Sequence, residues 1–490
     1  MQNVATAAAM FVILAIAAYF IVPANKYRRL YISLALFSVI LRLATVAYLY
    51  SKGVDTFGTD GLLYHRIGKW VCNQLNIGIP VYSVKYIYTW YTVIVGIVYH
   101  LFGINRFIVS YINIVLAFFS ALLLFKIALG LKYRFSNAAF ISLAFLYFPN
   151  LILWTSDSRK EALTIFICVL CFYCMQHFLL KMCPAGPSAK TAAGLPASGI
   201  ACPDTAWYGT ASGTGNAADH HTAAGKENPV PGAHENKKLH IPANISANIR
   251  IGCIIAFLCV LMWFGTLIRI YLFIPIALGI LLSLLIFYLR NPRRVYLVFG
   301  TAVIISSLII FFFTVCPHLK SYHAVTFPEE IGDFSTDMAN KVETIKLMAS
   351  SRNILLTALN YFILPYPGNT GIAEISGSIV LNAIVSADMI FWYACMLLMI
   401  PGIAEAIKNK ESFLLGLLAF LTAYNVINII AVENVPDTIY RYRSVTIGIS
   451  LLFTDWSIIS RTWSRIGSQM LRQQPAKPDL TPNNHWGNNS

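Results

Sequence analysis

Long apolar runs broken by short clusters of charge set the pattern of this chain. Runs near the length of roughly 20 residues that an α-helix needs to cross a bilayer recur along it. They lie at 5–22, 31–50, 107–130, 137–154, 161–181, 251–268, 270–290, 295–315, 377–401, 413–431 and 444–460. None shows the in–out alternation of a membrane β-barrel strand. The pattern therefore predicts an all-α, polytopic transmembrane helical bundle of about eleven spans.

Residues 87–102 (IYTWYTVIVGIVYHLF) are apolar but short and rich in aromatics. Charge decides how they lie. Lys26, Arg28 and Arg29 precede the second span, and Lys132 and Arg134 follow the third. Arg290, Arg293 and Arg294 follow the seventh, Lys408 and Lys410 the ninth, and Arg461 and Arg465 the last. With the N-terminus outside, every cluster falls in the cytoplasm, as the positive-inside rule requires. A crossing by 87–102 would invert all later loops. The segment is therefore expected as a juxtamembrane or re-entrant helix on the outer face.

Composition sharpens this picture. Of 490 residues, 57% are hydrophobic and 12% charged, against about 25% charged in soluble domains. A net charge of +15 in a soluble protein would point to nucleic acid. Here the cations sit at the ends of apolar runs as membrane anchors, so no nucleic-acid partner is expected. The first run lacks a basic leading segment, which argues against a cleaved signal peptide.

The chain then divides into parts. Residues 1–30 form an N-terminal span and cytoplasmic turn, and 31–183 an N-terminal module whose first outer loop is 51–106. Residues 184–249, rich in Ala, Gly, Ser, Thr, Pro and His, read as a flexible cytoplasmic insert. Its His220, His221, His234 and His240 read as solvated linker residues, and the sequon at Asn244 would face the wrong side for glycosylation. Residues 250–465 form a C-terminal transmembrane module with outer loop 316–376, and 466–490 a disordered cytoplasmic tail. Of the ten cysteines, Cys168, Cys171 and Cys174 sit inside an apolar run as small hydrophobes. Cys72 and Cys316 fall together outside, where a disulfide could join them.

The candidate chemistry gathers on the outer side. Asp60 opens an amphipathic segment in which Leu63, Ile67, Trp70 and Val71 recur at helical spacing. It is either an N-cap or a functional acid at a helix N-terminus. Asp157, Arg159, Lys160 and Glu161 interrupt two apolar runs with almost no linker. A tight turn does not need four charges, and at membrane depth charge is costly unless paired or solvated. Arg269 stands between two apolar runs, where an arginine pairs with an acid or a phosphate, or snorkels to the headgroups. Arg441 and Arg443 flank Tyr442 on the outer side, against the positive-inside bias, and two guanidiniums there suit a phosphate or pyrophosphate. These residues together fit a site for an anionic, membrane-anchored substrate approached from outside.

Over about residues 31–181 the sequence resembles the membrane-embedded GT-C glycosyltransferases. That group includes the protein O-mannosyltransferases, the lipid A aminoarabinose transferases and the oligosaccharyltransferases. The residues that carry the resemblance begin with a span followed by the outer acidic motif Gly58-Thr59-Asp60-Gly61-Leu62-Leu63-Tyr64. An in-plane segment ending in Leu101-Phe102-Gly103 leads to a span opening near Arg106. Another ends in Phe148-Pro149-Asn150 and precedes a second acid, Asp157.

The resemblance implies a GT-C-like fold and a glycosyltransferase. Its donor is a polyprenyl-phosphate sugar and its acceptor a glycan, lipid or protein, among membrane lipids. It implies Asp60 as general base or metal-site acid, and Asp157 as the second acid. A divalent cation, magnesium or manganese, would be held at these acids, or Asp157 would instead orient the acceptor. Arg269, Arg441, Arg443 and Lys85 would neutralise charge on the leaving phosphate. Arg159 and Lys160, outward cations of the same charge pattern, are expected as further substrate contacts. The family's first loop often carries adjacent acids, whereas here Gly61 follows Asp60 and the nearest other acid is Asp55. The absence of a large outer domain points to a bacterial inner membrane, with the site on its extracytoplasmic face.

Other classes make distinct demands. A repeat-unit polymerase or ligase would centre on the arginines. A flippase would use midplane charge, for which Asp388 is the chief candidate. An assembly protein would need no outer cavity.

Overall fold

A computed structural model describes residues 2–51, 59–80, 90–182, 243–269, 272–290, 354–367, 379–431 and 436–454. The side chain of Asp60, the whole of Lys85, Cys316, residues 291–353, the bulk of the insert and the C-terminal tail lie outside them. The described residues are helical. In chain order they form α1 (Gln2–Ile21), α2 (Arg28–Ser51), α3 (Thr59–Asn76), α4 (Trp90–Phe102) and α5 (Arg106–Gly130). Next come α6 (Phe135–Tyr147), α7 (Pro149–Ser156), α8 (Glu161–Met182), α9 (Ala243–Ile268) and α10 (Phe273–Arg290). The last are α11 (Ile354–Ile363), α12 (Ile379–Lys408), α13 (Ser412–Ala431) and α14 (Pro436–Ser450).

Among the described residues, seven helices are long and apolar enough to cross a membrane: α1, α2, α5, α8, α10, α12 and α13. An eighth crossing is the pair α6–α7, bent by 56°. The predicted single span at 137–154 is therefore two helices. The break falls at Phe148-Pro149, where proline removes a backbone donor and clashes with a continuing helix. The predicted span at 444–460 also differs. Its helix, α14, starts at Pro436, so Arg441 and Arg443 lie inside it rather than in a preceding loop. The apolar part of α9, Cys253–Ile268, is shorter than the spanning helices. The predicted span at 295–315 lies outside the described residues.

Apolar side chains such as Phe20, Ile390 and Leu397 stand 80%, 61% and 69% exposed on the outer surface of the bundle. A hydrocarbon solvent makes that surface acceptable, and helices satisfy their own backbone within it. Between helices, packing relies on small residues that let backbones approach. At the antiparallel α10–α13 contact a Cβ on Gly279 would lie 2.8 Å from the Gly416 carbonyl, and one on Gly416 would meet Ser283.

Helix α4 has 13 residues, a rise of about 20 Å, short of the roughly 30 Å hydrocarbon core. It packs beside α3 in the same direction. Tyr64 meets Tyr91 with ring centroids 5.1 Å apart, Gly68 faces Val95, and His100 bonds Asn76 at 2.7 Å. Cys72 is buried in this pair.

The bundle has two chemically distinct ends. Lys132 and Arg134 lie in the α5–α6 turn, Lys181 ends α8, Arg290 ends α10, and Lys408 and Lys410 flank the α12–α13 turn. Arg290 Nη1 donates to the Lys410 carbonyl at 2.9 Å, and the Tyr133 hydroxyl to the Leu452 carbonyl at 2.9 Å. Tyr31, at the start of α2, bonds Ser142 at 2.8 Å and stacks on Phe125. These contacts gather the basic turns at one end. The starts of α5 and α8 and the ends of α7 and α9 meet at the other.

Candidate functional site

The site is built on the turn between α7 and α8, at the end away from the basic turns. Residues 157–160 leave three backbone carbonyls without helical partners. Two side chains from neighbouring helices satisfy them. Asn113 of α5 donates through Nδ2 to the carbonyls of Asp157 and Arg159, at 2.6 and 2.8 Å. The Tyr91 hydroxyl of α4 is 2.9 Å from the carbonyls of both Ser158 and Arg159. Burial pushes the Tyr91 hydroxyl well above its ordinary range, so it stays a neutral donor. With its carbonyls tied back, the turn presents its charged side chains in a fixed arrangement.

Asp157 is 5% exposed and Arg159 1%. Asp157 Oδ1 accepts from the Ser158 N–H at 2.7 Å, and Oδ2 lies 2.9 Å from Arg159 Nε. That Nε–H is not aimed at the oxygen, so the pair is held by charge rather than by an aligned hydrogen bond. The Arg159 guanidinium also lies over the Trp154 ring at 4.6 Å. Lys160 Nζ sits 5.7 Å above the ring of Tyr64, which ties α3 to the turn. Asp60 lies one helical turn before Tyr64 in α3.

Glu161, the first residue of α8, is the hub of the cluster. Its Oε1 accepts from Arg269 Nη2 at 3.0 Å and lies 3.5 Å from Arg441 Nε. Arg269 follows the last residue of α9 and also donates from Nη1 to the Tyr424 hydroxyl at 3.0 Å. The guanidinium carbons of Arg269 and Arg441 stand 4.5 and 5.2 Å from the Tyr442 ring. Glu161 and Arg269 are both buried, and the α8 N-terminus adds a favourable field for the carboxylate.

Six charged residues are thus brought together: Asp157, Arg159, Lys160, Glu161, Arg269 and Arg441. Arg443 is not among them. Two positions apart on a helix, side chains point to nearly opposite sides, so Arg441 and Arg443 do not bracket one ligand as the sequence reading expected. Arg443 donates instead to the Tyr361 and Leu364 carbonyls at the end of α11, contacts Met389 sulfur at 3.2 Å, and lies over Trp392. The positions of the Asp60 and Lys85 side chains fall outside the described residues.

Two buried charges have structural work. Asp388 of α12 accepts at Oδ1 from the Asn150 N–H at 2.9 Å, while Asn150 Nδ2 donates to the Tyr440 carbonyl at 2.7 Å. The carboxylate caps α7 where Pro149 breaks the span. Arg42, in the middle of α2, was not singled out from sequence. It is 1% exposed and donates from Nε to Thr155 at 3.0 Å and from Nη1 to the Ser38 carbonyl at 3.3 Å. Glu161 was visible as a charge at the head of an apolar run, but its part as hub was not.

The described donors do not suit a divalent cation. Asp157 Oδ1 and Glu161 Oε1 already accept from N–H groups, Asp157 Oδ2 lies against the Arg159 guanidinium, and four cationic side chains surround the two carboxylates. Hard cations take carboxylate and carbonyl oxygens, and the carbonyls of this turn are occupied by Asn113 and Tyr91. Among the described residues no group of three or more His, Cys, Asp or Glu could hold a metal ion. The arrangement suits an anion. Comparison with known proteins finds no family model that matches the chain, no matching curated protein and no matching solved structure.

Proposed function

We propose that this chain is a membrane glycosyltransferase that moves a sugar from a polyprenyl-phosphate donor to an acceptor at the outer face of the membrane. The observation that carries the reading is the buried, cation-rich cluster around Glu161, at the span ends opposite the basic turns. If the basic turns mark the cytoplasm, the cluster faces outward at headgroup depth, where a lipid-linked phosphate lies. The GT-C resemblance of residues 31–181 supplies the class of reaction.

In this reading an acceptor hydroxyl attacks the anomeric carbon while the bond from that carbon to the phosphate oxygen breaks. The hydroxyl proton passes to Asp60, and the electron pair of the broken bond leaves on polyprenyl phosphate. Arg269 and Arg441, held by Glu161 and Tyr442, stabilise the charge that develops on that phosphate. Asp157 orients the acceptor side of the turn.

A second reading, a repeat-unit polymerase or ligase centred on the arginines, draws on one observation. The described acids of the cluster are each held by an arginine, Asp157 by Arg159 and Glu161 by Arg269. One assay separates the two. Membranes containing the full chain are supplied with a radiolabelled polyprenyl-phosphate sugar, and label in the acceptor fraction is followed. Loss of a general base costs about 10²–10⁴ in rate, so Asp60→Asn should abolish most transfer. Unchanged transfer by Asp60→Asn would remove the two-acid transferase and leave the polymerase. No transfer by the wild-type chain from any of a panel of such sugars would remove both.

A further inference from the structure

At the junction of α7 and α8, three deeply buried side chains keep hydrogen-bonding atoms without a protein partner among the described residues. They are Ser156 Oγ, Arg159 Nη1 and Glu161 Oε2. Their residues are 2%, 1% and 1% exposed. A buried polar atom left unsatisfied costs about 1–3 kcal/mol, more when charged, so three within six positions form a demand that something else meets. The set holds a charged donor, a charged acceptor and a hydroxyl that does either. An anionic phosphate suits the arginine but is repelled by the carboxylate. A sugar hydroxyl both donates and accepts, and vicinal hydroxyls can satisfy a carboxylate and a guanidinium at once.

The geometry is prepared in advance. Arg159 is fixed by Trp154 on its face and Asp157 at its edge. Glu161 is fixed at Oε1 by Arg269 and Arg441. Asn113 and Tyr91 hold the backbone between them. Sites that bind small polar ligands hold a few polar groups in place in this way.

We infer that Ser156, Arg159 and Glu161 form a sugar-hydroxyl subsite. Glu161 Oε2 accepts from, and Arg159 Nη1 donates to, hydroxyls of the transferred sugar. The inference rests on the reading of the chain as a transferase of lipid-linked sugars, and it separates two jobs within one cluster. Arg269 and Arg441 read the phosphate, and the α7–α8 turn reads the sugar.

The test uses the purified full chain in detergent, with two ligands measured in parallel. One is a polyprenyl phosphate carrying a hexose, and the other is the same lipid phosphate without sugar. Glu161→Gln should weaken binding of the sugar-bearing lipid by at least about tenfold, the loss of a hydrogen bond to a charged acceptor. Because Glu161 also holds Arg269 and Arg441, binding of the bare lipid phosphate should fall as well, and the sugar-bearing lipid should lose at least about tenfold more than it. Ser156→Ala leaves the arginines and their partner in place, and should give a smaller loss on the sugar-bearing lipid alone. Equal losses on both ligands would overturn the inference, because Glu161 would then act only by placing the arginines. No loss on either would overturn it as well. If the wild-type chain binds neither lipid, the proposed donor fails. The subsite is then read from quenching of tryptophan fluorescence by a panel of methyl hexosides. Quenching that Glu161→Gln removes sustains it, and absence of quenching overturns it.

Discussion

The carboxylate of Asp388 lies 2.9 Å from the backbone nitrogen of Asn150, across 238 positions of sequence. It restores an acceptor to a helix start that Pro149 leaves open inside an apolar run. This relationship makes the bent pair α6–α7 tenable, and α7 in turn places the α7–α8 turn.

Replacing Asp388 by alanine should therefore destabilise the fold by about 1–3 kcal/mol, the loss of a cap and of a buried acceptor. Asp388→Asn keeps an oxygen and should lose much less. Thermal unfolding in detergent reads both. Transfer activity of Asp388→Asn close to wild type would also set aside a midplane transport role for this carboxylate.

Arg269 and Glu161 are both buried and share a 3.0 Å contact. Removing one partner of such a pair strands the other, at about 3–5 kcal/mol. Arg269→Gln and Glu161→Gln should each be costly. The double variant should cost clearly less than the two single losses added together. A double-mutant cycle on unfolding free energy checks this, and strict additivity would mean that the two side chains do not interact.

Gly416 and Gly279 let α10 and α13 approach closely. Gly416→Val should force them apart and cost about 1–3 kcal/mol by overpacking. A lowered unfolding temperature is expected, while the affinity for lipid phosphate in the protein that remains folded should persist, since the cluster lies at the far end of α13.

Sidedness is open to a labelling experiment. Ile77, 71% exposed just beyond α3, and Lys410, in the basic α12–α13 turn, should lie on opposite sides of the membrane. In a background lacking native cysteines, Ile77→Cys should react with an impermeant maleimide in intact cells. Lys410→Cys should react only after permeabilisation. The reverse pattern would put the charged cluster in the cytoplasm and remove the outer-face transferase.

Much of the helical layout was legible in the sequence because bilayer thickness writes itself as run length. The run at 107–130 became Arg106–Gly130, and that at 161–181 became Glu161–Met182. The break at Pro149 was less so, because the apolar composition continues through it and only one residue marks it. Asp157, Arg159, Lys160 and Arg269 stood out because charge is expensive in an apolar chain. Which of them meet was hidden. Glu161 and Arg269 are 108 positions apart, and no local period links them. Arg443 misled for a similar reason. Its spacing from Arg441 looked like a clamp in a loop, but becomes a divergence once both lie in α14.

The capped break at Pro149 also bears on how the protein is made. Helices α6 and α7 leave the ribosome long before α12, which carries Asp388, and α14, which carries the Tyr440 carbonyl. During that interval the newly inserted pair lacks both partners for Asn150. The N-terminal portion, cut after Met182, is therefore an incomplete unit. Supplied in trans, a fragment beginning near Ala243 should rescue its accumulation in the membrane.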